Sequence, residues 1–259
     1  MTASPSPVLQ LLALRRVSKA FNSTLVLSDF SLSVNAGEVV GLVGPSGCGK
    51  TTILRIAAGV LPSDSGERSG MCLEPGPAQI AYMPQESALL PWRTLHLNAR
   101  LPAELWNVSL PEADSDISSL FARLQIADGA QQLPSQASGG MQRRTALVRA
   151  LVGGARLFLL DEPFTGLDYD VKIRAQSILL SHQRERNGGV VLVTHDLEDA
   201  IALCTRLIIL SRRPATIKRA IEIDGIRERQ DLIAIRTSST FRHLVSEVWD
   251  ELQYLAEPT

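Results

Sequence analysis

Apolar and polar positions change period several times along the chain, and each change marks an element. Phe30-Ser31-Leu32-Ser33-Val34 alternates with period two, the pattern of a half-buried strand. An extended stretch from about Leu9 to Phe21 precedes it. Asn35-Ala36-Gly37 then turns the chain into Glu38–Val43, a continuous apolar run suited to a sheet covered on both faces. After a glycine-rich loop at 44–49, Lys50 to Ala58 takes helical spacing and stops at Gly59, with Pro62 beyond. The middle, from about Glu86 to Gln136, is rich in Leu, Ala, Asp and Ser. Pro91, Pro102, Pro111 and Pro134 divide it into short helical pieces, so it reads as a helical insertion between two α/β halves. From Ser138 the spacing predicts a helix to about Val152, a strand at 157–161 and a helix from about Asp170 to Glu185. A strand at 190–194, a short helix and a strand from Leu207 to Leu210 follow. Strands alternating with helices imply a mainly parallel, covered sheet. In the last segment, from Arg227, Phe241, Leu244, Val245, Val248, Trp249 and Leu252 recur every three or four residues and predict one amphipathic helix.

Composition narrows the class. The 259 residues are 45% hydrophobic, 20% charged and 5% aromatic, which supports a buried core and excludes disorder, collagen-like repeats and disulfide miniproteins. That length accommodates two packed subdomains or one large α/β domain. With 26 Lys+Arg against 27 Asp+Glu there is no global basic field, which argues against nucleic acid as a partner. Cys48, Cys72 and Cys204 are odd in number and lack CxxC spacing, as expected of a reducing cytosol. The N-terminal stretch MTASPSPVLQLLAL has no charged region ahead of its apolar part and does not read as a secretory signal. The apolar runs are strand-sized, so the chain is not expected to span a membrane.

Two segments carry chemistry. Gly44-Pro45-Ser46-Gly47-Cys48-Gly49-Lys50-Thr51 has the glycine spacing of a phosphate loop and lies between a buried strand and a helix start. Its glycines let backbone N–H groups curl round phosphates, and the helix N-terminus adds its positive dipole end. Lys50 reaches the terminal phosphates and Thr51 offers a hydroxyl to magnesium. In Leu157-Phe158-Leu159-Leu160-Asp161-Glu162-Pro163, four apolar residues end in two acids where open α/β sheets bind ligands. There Asp161 can hold magnesium through water and Glu162 can polarise an attacking water.

Between these segments stands Ser138-Gly139-Gly140-Met141-Gln142-Arg143-Arg144, and downstream come Gly166-Leu167-Asp168 and Thr194-His195-Asp196. With Gln85 after a strand, the set resembles the ATP-binding subunit of an ABC transporter, in matching order from Phe21 to about Leu210. Leu90-Pro91-Trp92-Arg93-Thr94, with Gly-Gly-Met-Gln, is similar to the subunits of nitrate, sulfonate and taurine importers. The resemblance implies an α/β P-loop NTPase fold, an ABC-type ATPase with a RecA-like core, an antiparallel β subdomain and a helical subdomain. The core would occupy 1–85 and 137–225, the helical subdomain 86–136 and a C-terminal helical extension 226–259.

It also implies roles. Phe21 would stack on adenine beside Val26, and Gly44, Pro45, Ser46, Gly47, Cys48, Gly49, Lys50, Thr51 and Thr52 would bind the phosphates. Thr51, Gln85 and Asp161 would hold Mg2+ and the lytic water. Glu162 would be the general base, and His195 would contact the γ-phosphate. Ser138, Gly139 and Gly140 would complete the ATP site of a second copy, with Asp168 in the nucleotide-binding set, giving a homodimer with ATP at its interface. The implied partners are membrane permease subunits and, indirectly, a periplasmic or extracellular solute-binding protein. The implied location is peripheral, on the cytoplasmic face of the inner membrane. A soluble ABC-type ATPase acting in assembly or on nucleic acid without a permease is the alternative.

Three positions depart from the family pattern. Ala137 stands where leucine is usual and removes apolar packing that orients the signature. Thr165-Gly166 replaces a small pair. Cys48, near a helix N-terminus, is expected to favour its thiolate, so that alkylation blocks ATP binding. Trp92 would either pack in a core or anchor a permease. The C-terminal helix would cap its own domain or meet its twin. His96, His182 and His243 lack any motif context.

Overall fold

The computed structural model describes residues 9–73, 79–106, 108–223 and 231–256. The N-terminal stretch 1–8, positions 224–225 at the end of the expected core, and 226–230 and 257–259 of the expected extension lie outside them. β1 (Gln10–Phe21) and β2 (Thr24–Asn35) form a hairpin closed at Asn22-Ser23. Asn22 takes φ 52°, a left-handed conformation that asparagine tolerates because its short polar side chain can bond locally. β3 (Val39–Val43) leads through the glycine loop into α1 (Lys50–Ala58), which ends on Gly59 in the left-handed region. β4 (Ser65–Ser69) and β5 (Ile80–Met83) follow, then α2 (Leu95–Leu105), α3 (Leu110–Arg123) and α4 (Gly139–Val152). The chain continues through β6 (Leu157–Asp161), α5 (Tyr169–Glu185), β7 (Gly189–Val193), α6 (Leu197–Leu203) and β8 (Arg206–Leu210). It closes with β9 (Ile217–Glu222), α7 (Leu232–Thr237) and α8 (Ser239–Ala256).

Two sheets result. One is three-stranded and antiparallel, in the order β2-β1-β4, and the other is six-stranded, in the order β5-β6-β7-β3-β8-β9. All pairings in the larger sheet are parallel except β8 with β9. Its buried runs alternate between two cores. Val40, Leu42, Leu157, Leu159, Val191, Val193 and Ile208 face the smaller sheet and α1. Val39, Val43, Phe158, Leu160, Val190, Leu192 and Leu207 face the helical layer of α4, α5 and α6, with α2 and α3 beyond. A strand apolar at every position is what such double coverage requires.

The proline reading needs correction at one place. Pro102 lies inside α2 and does not end it. Its ring packs against Gly153, where a Cβ would come within 2.7 Å of the proline Cβ, so the helix keeps the proline in a close tertiary contact although its ring removes one backbone donor. Pro111 instead opens α3, where its absent N–H costs nothing. The described part of the last segment, 231–256, holds two helices, not one, broken at Ser238. Leu232, Ile235, Phe241 and Val248 bury into the core beside α6, so the extension caps its own chain.

A buried ionic network fixes that cap. Asp199 on α6 accepts from Lys172 of α5 at 3.2 Å and from Arg236 of α7 at 3.1 Å. Arg236 also donates to Gln176 at 3.0 Å, and Lys172 to Asp196 at 2.8 Å. Breaking a buried pair from one side leaves an uncompensated charge. Asp199→Ala is therefore expected to cost roughly 3 kcal/mol of unfolding free energy, read as a lower urea midpoint at unchanged slope.

Candidate nucleotide site

The carboxyl ends of β5, β6, β7 and β3 lie side by side, and the site is assembled along that edge. After β3 the loop turns back at Gly47 and Gly49. Gly49 has φ 127°, and a Cβ there would meet Val26 at 3.0 Å and Leu27 at 3.1 Å, so only glycine lets β2 close on the loop. Lys50 Nζ donates to the carbonyls of Gly44 at 2.7 Å and Pro45 at 3.0 Å, inside the curl of the loop. Thr51 Oγ1 donates to Asp161 Oδ2 at 2.7 Å, joining the first helical turn to the end of β6. Burial foremost raises the Asp161 pKa, with the Thr51 hydrogen bond opposing it.

Glu162, the next residue, takes φ 54°, a strained backbone for a non-glycine residue and of a kind that clusters at functional sites. Its Oε2 accepts from Thr165 Oγ1 at 3.0 Å and from His195 Nδ1 at 2.8 Å. A carboxylate only accepts, so Nδ1 is the donor in this contact. His195 comes from the end of β7 and is largely exposed. Arg143 of α4 is buried and donates to the backbone carbonyls of both Gln85 and Glu162. The Gln85 side chain is exposed at the end of β5.

Beside the loop opens a cavity of about 340 Å³ lined by Phe21, Thr24, Val26, Gly47, Gly49, Lys50, Thr51, Thr52 and Arg213. Phe21 is 42% exposed with Lys19 Nζ 5.6 Å above its ring, so it is no core aromatic. Cys48 departs from expectation: its side chain is 1% exposed and belongs to the apolar cluster beneath the loop. Its N–H donates to Pro45 O at 3.2 Å. The idea that a thiol reagent reports on ATP binding through this residue is therefore corrected, because the folded loop shields the sulfur.

The signature residues do not line the cavity. Ser138 caps α4, accepting from Met141 N–H at 3.2 Å, and Ser138 and Gly139 are exposed. Gly140 lies beside Gly166 O, which would be 3.9 Å from its Cβ, so the signature and the loop bearing exposed Asp168 share one surface. Ala137 is half-buried, and its carbonyl and that of Pro134 accept from Gln142 Nε2 at 3.2 and 2.9 Å. These polar bonds orient the turn where the usual leucine is missing. Trp92 is 73% exposed, which rules out core packing. The fully buried Asn98 holds its turn, accepting from Leu90 N–H at 2.7 Å and donating to Leu90, Arg93 and Thr94 carbonyls. His96, His182 and His243 sit on α2, α5 and α8, away from the cavity lining.

Thr24, Arg213, Arg143 and the Thr165 hydroxyl join the site with no role that the motifs imply. Arg143 lies inside the Ser138–Arg144 motif, whereas nothing in the periodicity marks Arg213.

Residues 27–165 match the family model of ABC transporters. The chain belongs to the ABC transporter family. This ABC ATPase is 37% identical over 230 residues to the aliphatic sulfonates import ATP-binding protein SsuB of Corynebacterium glutamicum, covering 89% of this chain and 92% of that protein. It is 37% identical over 252 residues to SsuB 1 of Pseudomonas aeruginosa, covering 94% and 97%. An uncharacterised ABC transporter ATP-binding protein of Bacillus subtilis, YtlC, is 31% identical over 90% of each chain. Among solved structures it superposes on the ATP-binding subunit of an ABC transporter with TM-score 0.76, at 25% identity over 94% of this chain and 99% of that one. A dimeric ATP-binding cassette in a post-hydrolysis state, bound to ADP and phosphate, gives TM-score 0.74 at 25% identity over 83% and 100%. ATP is the substrate of these ATPases and Mg2+ its companion ion. No helix among the described residues is long and apolar enough to cross a membrane.

Two outcomes follow from the loop geometry. Cys48 should resist maleimide in the native protein and react once denaturant exposes it, as mass spectrometry of labelled peptides will show. Gly49→Val should abolish nucleotide binding in a fluorescent-nucleotide titration, because its methyls have no room against Val26 and Leu27.

Proposed function

We propose that this ABC ATPase is the energising subunit of an importer for a small solute of the nitrate, sulfonate and taurine type, with aliphatic sulfonates favoured by the named relatives. The observation that carries the shared-site mechanism is the split between cavity and signature. Phosphate-loop residues line the cavity, while Ser138, Gly139 and Gly140 present an uncovered helix start elsewhere on the surface. A second copy would bring its signature over the nucleotide, where free N–H groups and the helix dipole suit a γ-phosphate.

In this reading Phe21 stacks on adenine beside Val26, and Lys50 exchanges its loop carbonyls for phosphate oxygens. The donor set suits Mg2+: a Thr51 hydroxyl and an Asp161 carboxylate already in contact, and a Gln85 amide at the adjacent strand end. Among the described residues no group of three or more His, Cys, Asp or Glu could bind a metal, so phosphates and water would complete the shell, as Mg2+ prefers. When bound, the ion neutralises charge on the phosphate oxygens. Glu162 takes the proton of the attacking water. His195 contacts the γ-phosphate as a ring N–H donor, and Arg143 fixes the backbone on which Glu162 and Gln85 sit.

On this reading the core comprises 1–85 and 137–225, the helical subdomain 86–136 and the extension 226–259. The protein works as a homodimer beneath permease subunits on the cytoplasmic face of the inner membrane, with Trp92 as an anchor and the solute-binding protein reached only through the permease.

Glu162→Gln should lower ATP turnover by at least about 100-fold, the scale of losing a general base, and should trap an ATP-bound dimer in light scattering. A monomer under saturating ATP overturns the shared site. Co-expressed with its permease, the chain should sediment with membranes and hydrolyse ATP faster when an aliphatic sulfonate and its binding protein are supplied. A wholly soluble ATPase overturns the transporter reading.

A further inference from the structure

We propose that Arg213, from the turn between β8 and β9, is a phosphate-binding residue of the nucleotide site. The inference rests on the reading of the cavity as an ATP site and adds to it a cation from outside every motif.

The turn is built to hold that side chain in place. Ser211 N–H donates to Thr216 O at 2.9 Å, and the Ser211 hydroxyl lies 2.7 Å from Arg212 O while accepting from Thr216 N–H at 2.9 Å. Ala215 N–H donates to Val26 O at 2.8 Å, tacking the turn to the strand that forms one wall of the cavity. Arg212 Nε donates to Leu255 O of α8 at 2.9 Å. The segment carrying Arg213 is thus fastened to its own strand, to β2 and to the C-terminal helix.

From that base Arg213 Nε donates to Gly47 O in the middle of the phosphate loop, and Nη2 lies 3.1 Å from where a Gly47 Cβ would be. A guanidinium carries five N–H donors. The Gly47 bond uses the one on Nε, and the terminal nitrogens have no partner on the protein among the described residues. Arg213 is a lining residue of the cavity that Lys50, Thr51 and Thr52 line. That lining holds two cations, Lys50 and Arg213, and no carboxylate. Two positive groups facing a glycine loop, with no acid in the lining to neutralise them, call for a polyanion, and a guanidinium fork matches adjacent phosphate oxygens in geometry as well as charge. The contact belongs to the phosphate chain, so ADP and ATP feel it and adenosine does not.

Calorimetric titration of the full chain with ATP, ADP and adenosine tests this, comparing wild type, Arg213→Ala and Arg213→Lys. Arg213→Ala should weaken ADP and ATP roughly tenfold, the scale of a hydrogen bond to a charged group, and leave adenosine unchanged. Arg213→Lys should recover part of the loss, and the salt dependence of ADP binding should be shallower in Arg213→Ala, since one screened charge pair is gone. Unaltered ADP affinity in a folded Arg213→Ala overturns the proposal, as does an equal loss for adenosine, which would make the side chain a wall of the cavity. If the alanine variant does not fold, Arg213→Gln against Arg213→Lys decides, and equal affinities for ADP overturn it. Wild type binding neither ATP nor ADP overturns the ATP reading as well, whereas a wild type that binds beside an indifferent variant overturns this inference alone.

Discussion

Parallel pairing of β6, β7 and β3 is the constraint on which the site depends. Parallel strands set their carboxyl ends along one edge, and register decides which side chains meet there. Asp161 pairs with Val193, and Leu42 with the same residue from the other side, so β6 ends level with the start of the phosphate loop. Side chains alternate along a strand. Leu157 and Leu159 face α1, so Asp161 faces it too and meets Thr51. A slip of one residue would send that carboxylate toward α4 and bring a leucine under the loop.

Arg143 extends the edge to the helical layer. Its partners are carbonyls, of Gln85 and Glu162, so it ties two strand ends together whatever side chains they carry. Asp196, next to His195, performs a comparable service on the other side through Lys172 and Asp199. The C-terminal helices are therefore connected through packed, charged groups to the strand end that carries His195.

What could be read from the sequence was local or carried its own periodicity. The phosphate loop declares itself in eight consecutive residues, and β3, β6 and β7 are buried on both faces and so apolar apart from Asp161 at the end of β6. β4 is invisible to that logic: Ser-Gly-Glu-Arg-Ser buries little, and only backbone pairing to β1 makes it a strand. β9 is likewise an exposed edge whose order comes from β8. Pro102 defeats a helix-breaking rule through a contact with Gly153, 51 positions on. Arg213 meets Gly47 across 166 positions, and no pattern in the intervening chain encodes that distance. Cys48 was legible in place but not in direction, since motif spacing fixes the backbone of the loop and leaves the burial of one side chain to the layer below it.

The turn around Trp92 has a thermodynamic side. Asn98 ties down the backbone at Leu90, Arg93 and Thr94 before anything docks, so much of the conformational entropy of that turn is already lost on folding. A partner covering the indole would remove on the order of 200 Å² from water. Little of that gain would go toward ordering the receiver's backbone, and the exposed indole would give up only its own rotamer freedom, commonly about 1 kcal/mol for an immobilised side chain. The affinity of such a junction would therefore be governed by how much the incoming segment must order itself.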